Sequence, residues 1–213
     1  AHKIAPQENE FVGILSNGTS GDINNIDFRQ PRPRRQPFEQ MRLVAEKVAE
    51  AVAQQYRDLQ HRHDVSVGMT QSLLRLQKRR PTAAELARAR KFMATADSKE
   101  LPKRAIPYAQ WTLQLSKPPH QSELVLQAVR VGDIAFSTVP CEVFCEIGLE
   151  LRRRSPHRAT FTVELANGHH GYLPTTEQHS LGGYETWLGT NTLELDASTK
   201  IVNRLETMLR ELQ

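Results

Sequence analysis

Apolar positions along the chain follow two periods. Between residues 38 and 60, Leu43, Val44, Val48, Val52, Tyr56 and Leu59 recur at three- and four-residue steps among Glu, Lys, Gln and Arg, which predicts an amphipathic helix. Pro81 precedes Thr82, and Glu85 follows three residues later. That is the capping-box spacing, and it predicts a helix running through Met93 or a little beyond. A further helical stretch covers 108–115, and the last, over 196–212, aligns Ile201, Leu205, Met208, Leu209 and Leu212. The shorter period marks strands. Residues 64–69 are β-branched and near-alternating, and 123–130 and 133–139 flank Gly132-Asp133 as a tight hairpin. Pro140 ends the second hairpin strand, and a helix is expected from Glu142 through Arg153, stopped at Ser155-Pro156. A strand over 160–165 then feeds the loop 166–172. Near the start, the apolar run 11–15 reads as a buried strand delivering the Gly- and Asn-rich loop Ser16-Asn17-Gly18-Thr19-Ser20-Gly21-Asp22. The opening Ala1-His2-Lys3-Ile4 reads as the tail of a helix already under way, so the start is expected to be a cut. The pattern predicts an α/β chain, a mixed sheet with helices packed on it, as one domain or part of one over 1–213.

Composition narrows the class. With 213 residues, 38% hydrophobic and 24% charged, the chain can bury a sizeable core and is neither collagenous nor wholly disordered. It has no run of about 18 apolar residues that would span a membrane as a helix. Two cysteines, Cys141 and Cys145, exclude a disulfide framework and a multi-cysteine zinc module. The net charge of +4 is unevenly spread, because residues 75–104 alone carry +7. Such a stretch is either the solvated face of a helix or a contact for an anionic partner. The Pro- and Arg-rich segment 29–37 reads as an extended connector. No aromatic interleaving or binding module accompanies either basic stretch, so a nucleic-acid partner is not expected.

Three loops can hold chemistry, since each follows a predicted strand and is rich in polar groups. Backbone N–H groups around Gly18 and Gly21 can bind an oxyanion, or Gly21-Asp22 can be a turn whose carboxylate accepts backbone hydrogen bonds. Glu142, in Pro140-Cys141-Glu142, can be a metal ligand or general base, or can complement the positive end of the expected helix. Cys141 and Cys145 have the i, i+4 spacing of one helical face, either as metal ligands or as core residues. The third loop, from His169-His170-Gly171-Tyr172 to His179, is dense in potential ligands but lacks the helical spacing of a zincin.

These loops, in this order, resemble the later part of the catalytic domain of the neutral/alkaline ceramidase family. The resemblance is carried by Ser16 to Asn24, by Val139-Pro140-Cys141-Glu142, and by Gly171-Tyr172-Leu173-Pro174-Thr175-Thr176-Glu177-Gln178-His179 with Tyr184-Glu185 following. It is nearest to bacterial homologues of unassigned substrate. It implies the C-terminal part of a ceramidase-like catalytic domain, a zinc-dependent hydrolase cleaving an N-acyl bond of a small-molecule or lipid amide with metal-activated water. It also implies Glu142 and Tyr172 as zinc ligands, Tyr184 as the phenol that steadies the oxyanion, and Gly21 and Asp22 in the substrate loop. Relatives are commonly secreted, periplasmic or surface-facing, and that location is the expectation here.

Two departures alter what the resemblance implies. Where the family's Gly-Asp loop carries its catalytic serine, Asn24 stands here; an amide can orient water or an oxyanion but is no hydroxyl nucleophile. Both family zinc histidines lie upstream of the Gly-Asp loop, and His2 matches neither. The chain is therefore expected to hold about half the ligand set and to be inactive alone unless a missing upstream part, or another chain, supplies the rest. The alternatives are a non-catalytic ligand-binding homologue that lost the serine, and an anion-binding protein using the basic 75–104 face.

Overall fold

In the computed structural model, residues 13–98 and 100–213 are described. They fall into two compact units, one containing 24–65 with 13–16, the other 17–23 with 66–213. The expected helix at the start lies outside the described residues, as do Phe11 and Val12 of the expected first strand. The rest of that strand, 13–15, has no regular structure, and Ile14 and Leu15 are exposed. An apolar run becomes a strand only with a backbone partner, and the described residues of its unit contain none. The first unit consists mainly of α1 (Glu39–Tyr56), which buries none of its residues.

The second unit is built on a four-stranded sheet in the order β1-β2-β3-β5. Strands β1 (Val67–Gln77), β2 (Gln121–Val131) and β3 (Ile134–Val139) are antiparallel neighbours, and β5 (Ala159–Glu164) joins β3 in parallel. The hairpin forms where expected, with Gly132 at φ 62 in its two-residue turn. Strand β1 starts later and runs longer than its β-branched residues suggested, because pairing with the eleven residues of β2 extends it.

One face of the sheet carries Leu76, Leu124, Leu126, Ala128, Ala135 and Val139, all buried. Helix α6 (Ala197–Glu211) lies against it and contributes Ile201, Leu205, Met208 and Leu209 to the same core. Helix α4 (Cys145–Arg154), in the crossover from β3 to β5, adds Ile147 and Leu151. Helices α2 (Ala83–Ala94) and α3 (Ala105–Leu115) pack on each other, and the Thr82–Glu85 capping box forms as the sequence predicts.

One boundary differs from expectation in a way that places the site. Glu142 does not open a helix. Glu142–Val143 is a short strand, β4, paired in parallel with β6 (Tyr172–Leu173), and α4 begins three residues later at Cys145. Cys141 therefore lies outside the helix, and the two cysteines do not share a helical face. Residues after β6 form α5 (Thr176–Leu181), with a Thr175–Gln178 capping box, and a 3₁₀ turn at Tyr184–Thr186.

Candidate active site

The β4–β6 pair sits just beyond the carboxyl ends of parallel strands β3 and β5, the edge where open α/β sheets place chemistry. The Glu142 N–H donates to the Gly171 carbonyl at 3.0 Å and the Phe144 N–H to that of Leu173 at 3.2 Å. This pairing puts Glu142 and Tyr172 in register. Side chains at paired positions share one side of a sheet, so a carboxylate and a phenol thirty residues apart in the chain become neighbours.

Two further side chains complete the cluster. His169 Nε2 lies 3.2 Å from Glu142 Oε1, and the hydroxyls of Tyr172 and Tyr184 are 3.3 Å apart, their rings edge to face. Burial pushes the Tyr172 phenol well above its ordinary pKa, and the Tyr184 hydroxyl and the Glu142 carboxylate add to the shift. Burial also holds His170 below the usual imidazole range, with His169 and Lys78 contributing. Glu142, His169, His170 and Tyr172 border a cavity of about 510 Å³ whose other side includes Trp111 and Leu115.

The loop bearing Tyr172 and the turn bearing Tyr184 are fixed from below. Half-buried Arg79 donates to the Thr186 carbonyl at 2.6 Å and to Asn191 Oδ1 at 3.0 Å. Asn191 is buried and donates through Nδ2 to the Tyr172 carbonyl at 2.9 Å. Gly171, at φ +81, brings its backbone so close to the Thr190 carbonyl that no side chain fits there. One guanidinium and one carboxamide thus tie both tyrosines to the end of β1.

Neither a protein-family profile nor a curated protein sequence matches the chain. Among solved structures, it is similar to neutral ceramidase from Pseudomonas aeruginosa, with a TM-score of 0.60 at 14% identity over 99% of this chain. The fold is ceramidase-like. The chain spans 39% of that neighbour's length. A second structure, described as ceramidase complexed with C2, aligns with 42% of this chain and 15% of its own, at 21% identity and a TM-score of 0.39.

Within this ceramidase-like fold, five of the six sequence-derived site residues lie in the second unit: Glu142, Tyr172, Tyr184, Gly21 and Asp22. Asn24 belongs to the first unit and is exposed there. Gly21 and Asp22 have structural tasks. The Gly21 N–H donates to the Val143 carbonyl at 2.8 Å, and a Cβ on Gly21 would stand 2.6 Å from the Glu142 carbonyl oxygen. Asp22 Oδ1 accepts from the Cys145 N–H at 2.9 Å, capping α4, whose own N-cap, Phe144, offers no side-chain acceptor. The acidic partner of this helix start is therefore Asp22, not Glu142. Asp22→Ala is expected to lower stability by about 1 kcal/mol, read from urea denaturation, with faster amide exchange at Cys145; Asp22→Asn retains most of it.

Sequence reasoning passed over Glu164. Its carboxylate, 5% exposed, accepts from the Val143 N–H at 2.8 Å, from the Ser20 N–H at 3.2 Å and, more closely still, from the Ser20 hydroxyl. A signal existed. In β5 the polar Thr160, Thr162 and Glu164 share one side of the strand while Phe161 and Val163 share the other, and Phe161 is exposed. Polar residues on the inward parity mark a buried polar network. Burial, with the neighbouring Glu164 charge adding to it, pushes the Cys141 thiol up to about 12. Iodoacetamide at pH 8 is expected to leave Cys141 unmodified in the native protein and to alkylate it only on unfolding, as mass spectrometry of peptides would show.

The donors at Glu142 and Tyr172 fit a zinc ion in kind, being a carboxylate and a phenol that converge on one cavity. They fall short in number. Among the described residues no group of three or more His, Cys, Asp and Glu side chains comes together as a metal site.

Proposed function

We propose that the chain is the site-bearing part of an amide hydrolase that cleaves an N-acyl bond, with a zinc ion held in part by Glu142 and Tyr172. The observation that carries this reading is the Glu142–Tyr172–Tyr184 cluster at one edge of a ceramidase-like fold. When bound, zinc supplies an acidified water and a Lewis acid for an acyl carbonyl. The chain's own residues do the rest. Glu142 provides negative charge at the cavity wall, with His169 positioned against it. The Tyr184 hydroxyl, 3.3 Å from that of Tyr172, is a neutral donor directed at a developing oxyanion. Trp111 and Leu115 present apolar surface that suits an acyl chain and excludes water. Among the described residues no helix is long and apolar enough to cross a membrane, and the substrate is a small-molecule or lipid amide. A secreted, periplasmic or surface location follows the same reading.

The test is release of a fluorescent amine from an N-acyl probe by the complete gene product, with and without added zinc. Zinc-dependent release that Tyr184→Phe slows by about a hundredfold with little change in KM supports the assignment. Release that survives chelation, Tyr184→Phe and Tyr172→Phe would remove it.

A further inference from the structure

A second concavity of about 830 Å³ lies between α2, α3 and the turn bearing Tyr184. Its floor is made of small buried residues, Ala89, Ala105 and Ala109, which leave the space open. Its rim is cationic. Arg79, Arg88, Lys103 and Arg104 reach it from three different segments, against one carboxylate, Glu85. That carboxylate accepts from the Thr82 N–H and hydroxyl at 2.8 Å each, and its single charge, which acts on Arg79 and Arg88, offsets only part of the four cations. Among the described residues, none of the four cations forms an ion pair. Tyr108 and Trp187, packed edge to face at 5.5 Å between centroids, give the same concavity an aromatic wall.

We infer that this concavity receives the acidic end, a carboxylate or phosphate, of a linear substrate whose amide lies at the Tyr172–Tyr184 pair. Like charges converging on one hollow repel each other, and an anion relieves that repulsion while gaining charge-assisted hydrogen bonds. A solvated helix face would instead spread its cations outward, interleaved with acids. Tyr184 borders this concavity, and its hydroxyl touches that of Tyr172, which borders the other. A linear molecule crossing the tyrosine pair therefore occupies both, with its acyl chain against Trp111 and its acid against the arginines. The amide part rests on the proposed function; the anionic part does not.

Calorimetry on this chain with N-octanoylglycine, N-octanoylethanolamine and octanoate separates the two. The acidic amide is expected to bind at least about tenfold more tightly than the neutral one at low salt, with the preference shrinking as salt rises. Arg88→Gln with Lys103→Gln should weaken the acidic amide about tenfold and leave the neutral amide unchanged. Arg88→Lys with Lys103→Arg should restore it, which separates charge from folding. Octanoate matching N-octanoylglycine, with both lost in the double variant, supports the anionic concavity and counts against the amide reading. Equal binding of acidic and neutral amides overturns the inference and leaves the amide reading in place. No binding of either anion overturns it as well.

Discussion

Glu142→Gln is expected to weaken zinc binding by this chain at least tenfold and to slow amide hydrolysis by the complete gene product by about a hundredfold or more. Glutamine keeps the size and the backbone pairing of Glu142 with Tyr172, so the β4–β6 strands should survive. What it removes is the one carboxylate among the residues that line the cavity, and metal affinity depends strongly on ligand charge. It also exchanges the carboxylate oxygen 3.2 Å from His169 Nε2 for an amide, which holds an imidazole less firmly. A chelating dye in competition reads the affinity, and thermal denaturation without metal reads the fold. Unchanged zinc affinity in a folded variant would exclude Glu142 as a ligand. Tyr172→Phe provides the companion case and should act on affinity in the same direction with a smaller loss, since a phenol is the weaker donor.

Glu164→Ala should destabilise the second unit by about 3 kcal/mol. The carboxylate is the acceptor for three donors from two segments, Ser20 and Val143, and truncation leaves the buried Val143 N–H without a partner. Removing a buried carboxylate that forms no ion pair among the described residues gives back part of the desolvation cost, which limits the loss. Glu164→Gln should cost less. Its carbonyl in the Oε2 position can still accept from the Val143 and Ser20 N–H groups, and the Ser20 hydroxyl, which donates to Oε1, can rotate to accept from the new amide. Urea denaturation of the three proteins orders them, and an alanine variant as stable as the parent would show that the network carries no net stability. The effect reaches the site because Glu164 clamps the 17–23 loop onto β4, and that loop in turn caps α4 through Asp22. Amide exchange at Val143 should therefore accelerate well beyond the global change.

Local elements were legible along the chain wherever period and cap signals agreed. Thr82 and Glu85 marked the start of α2, Gly132-Asp133 the hairpin turn, and the Ile201–Leu212 stripe the buried face of α6. The same signals misplaced the start of α4, because its cap is not next to it in the chain. The acceptor for Cys145 is Asp22, 123 positions earlier, and no local pattern contains it. Residues 142–143 look like a helix start after Pro140, yet their backbone groups are taken by β6 and by Gly21, which holds them extended.

For the candidate site, Glu142 stood out at the end of a predicted strand, while the roles of Tyr172 and Tyr184 were implied by the resemblance of their motifs to the ceramidase family. Their approach to one another was set by the Arg79–Asn191–Tyr172 chain of hydrogen bonds and by the Gly171 contact with Thr190. The partners of His169 and of Glu164 were decided only in three dimensions: the ligand-dense loop and the inward parity of β5 were legible, but not the Glu142 carboxylate or the Ser20 and Val143 donors they meet. The sequence by itself determined where most helices and strands form and which residues could carry chemistry, because capping and amphipathicity act over a few residues. The tertiary structure alone decided that the carboxylate and the phenols meet at one edge of the sheet, and that Tyr184 also borders the basic concavity. Strand pairing and buried polar bonds join segments far apart in the chain, and their energies depend on enclosure that no local stretch can provide.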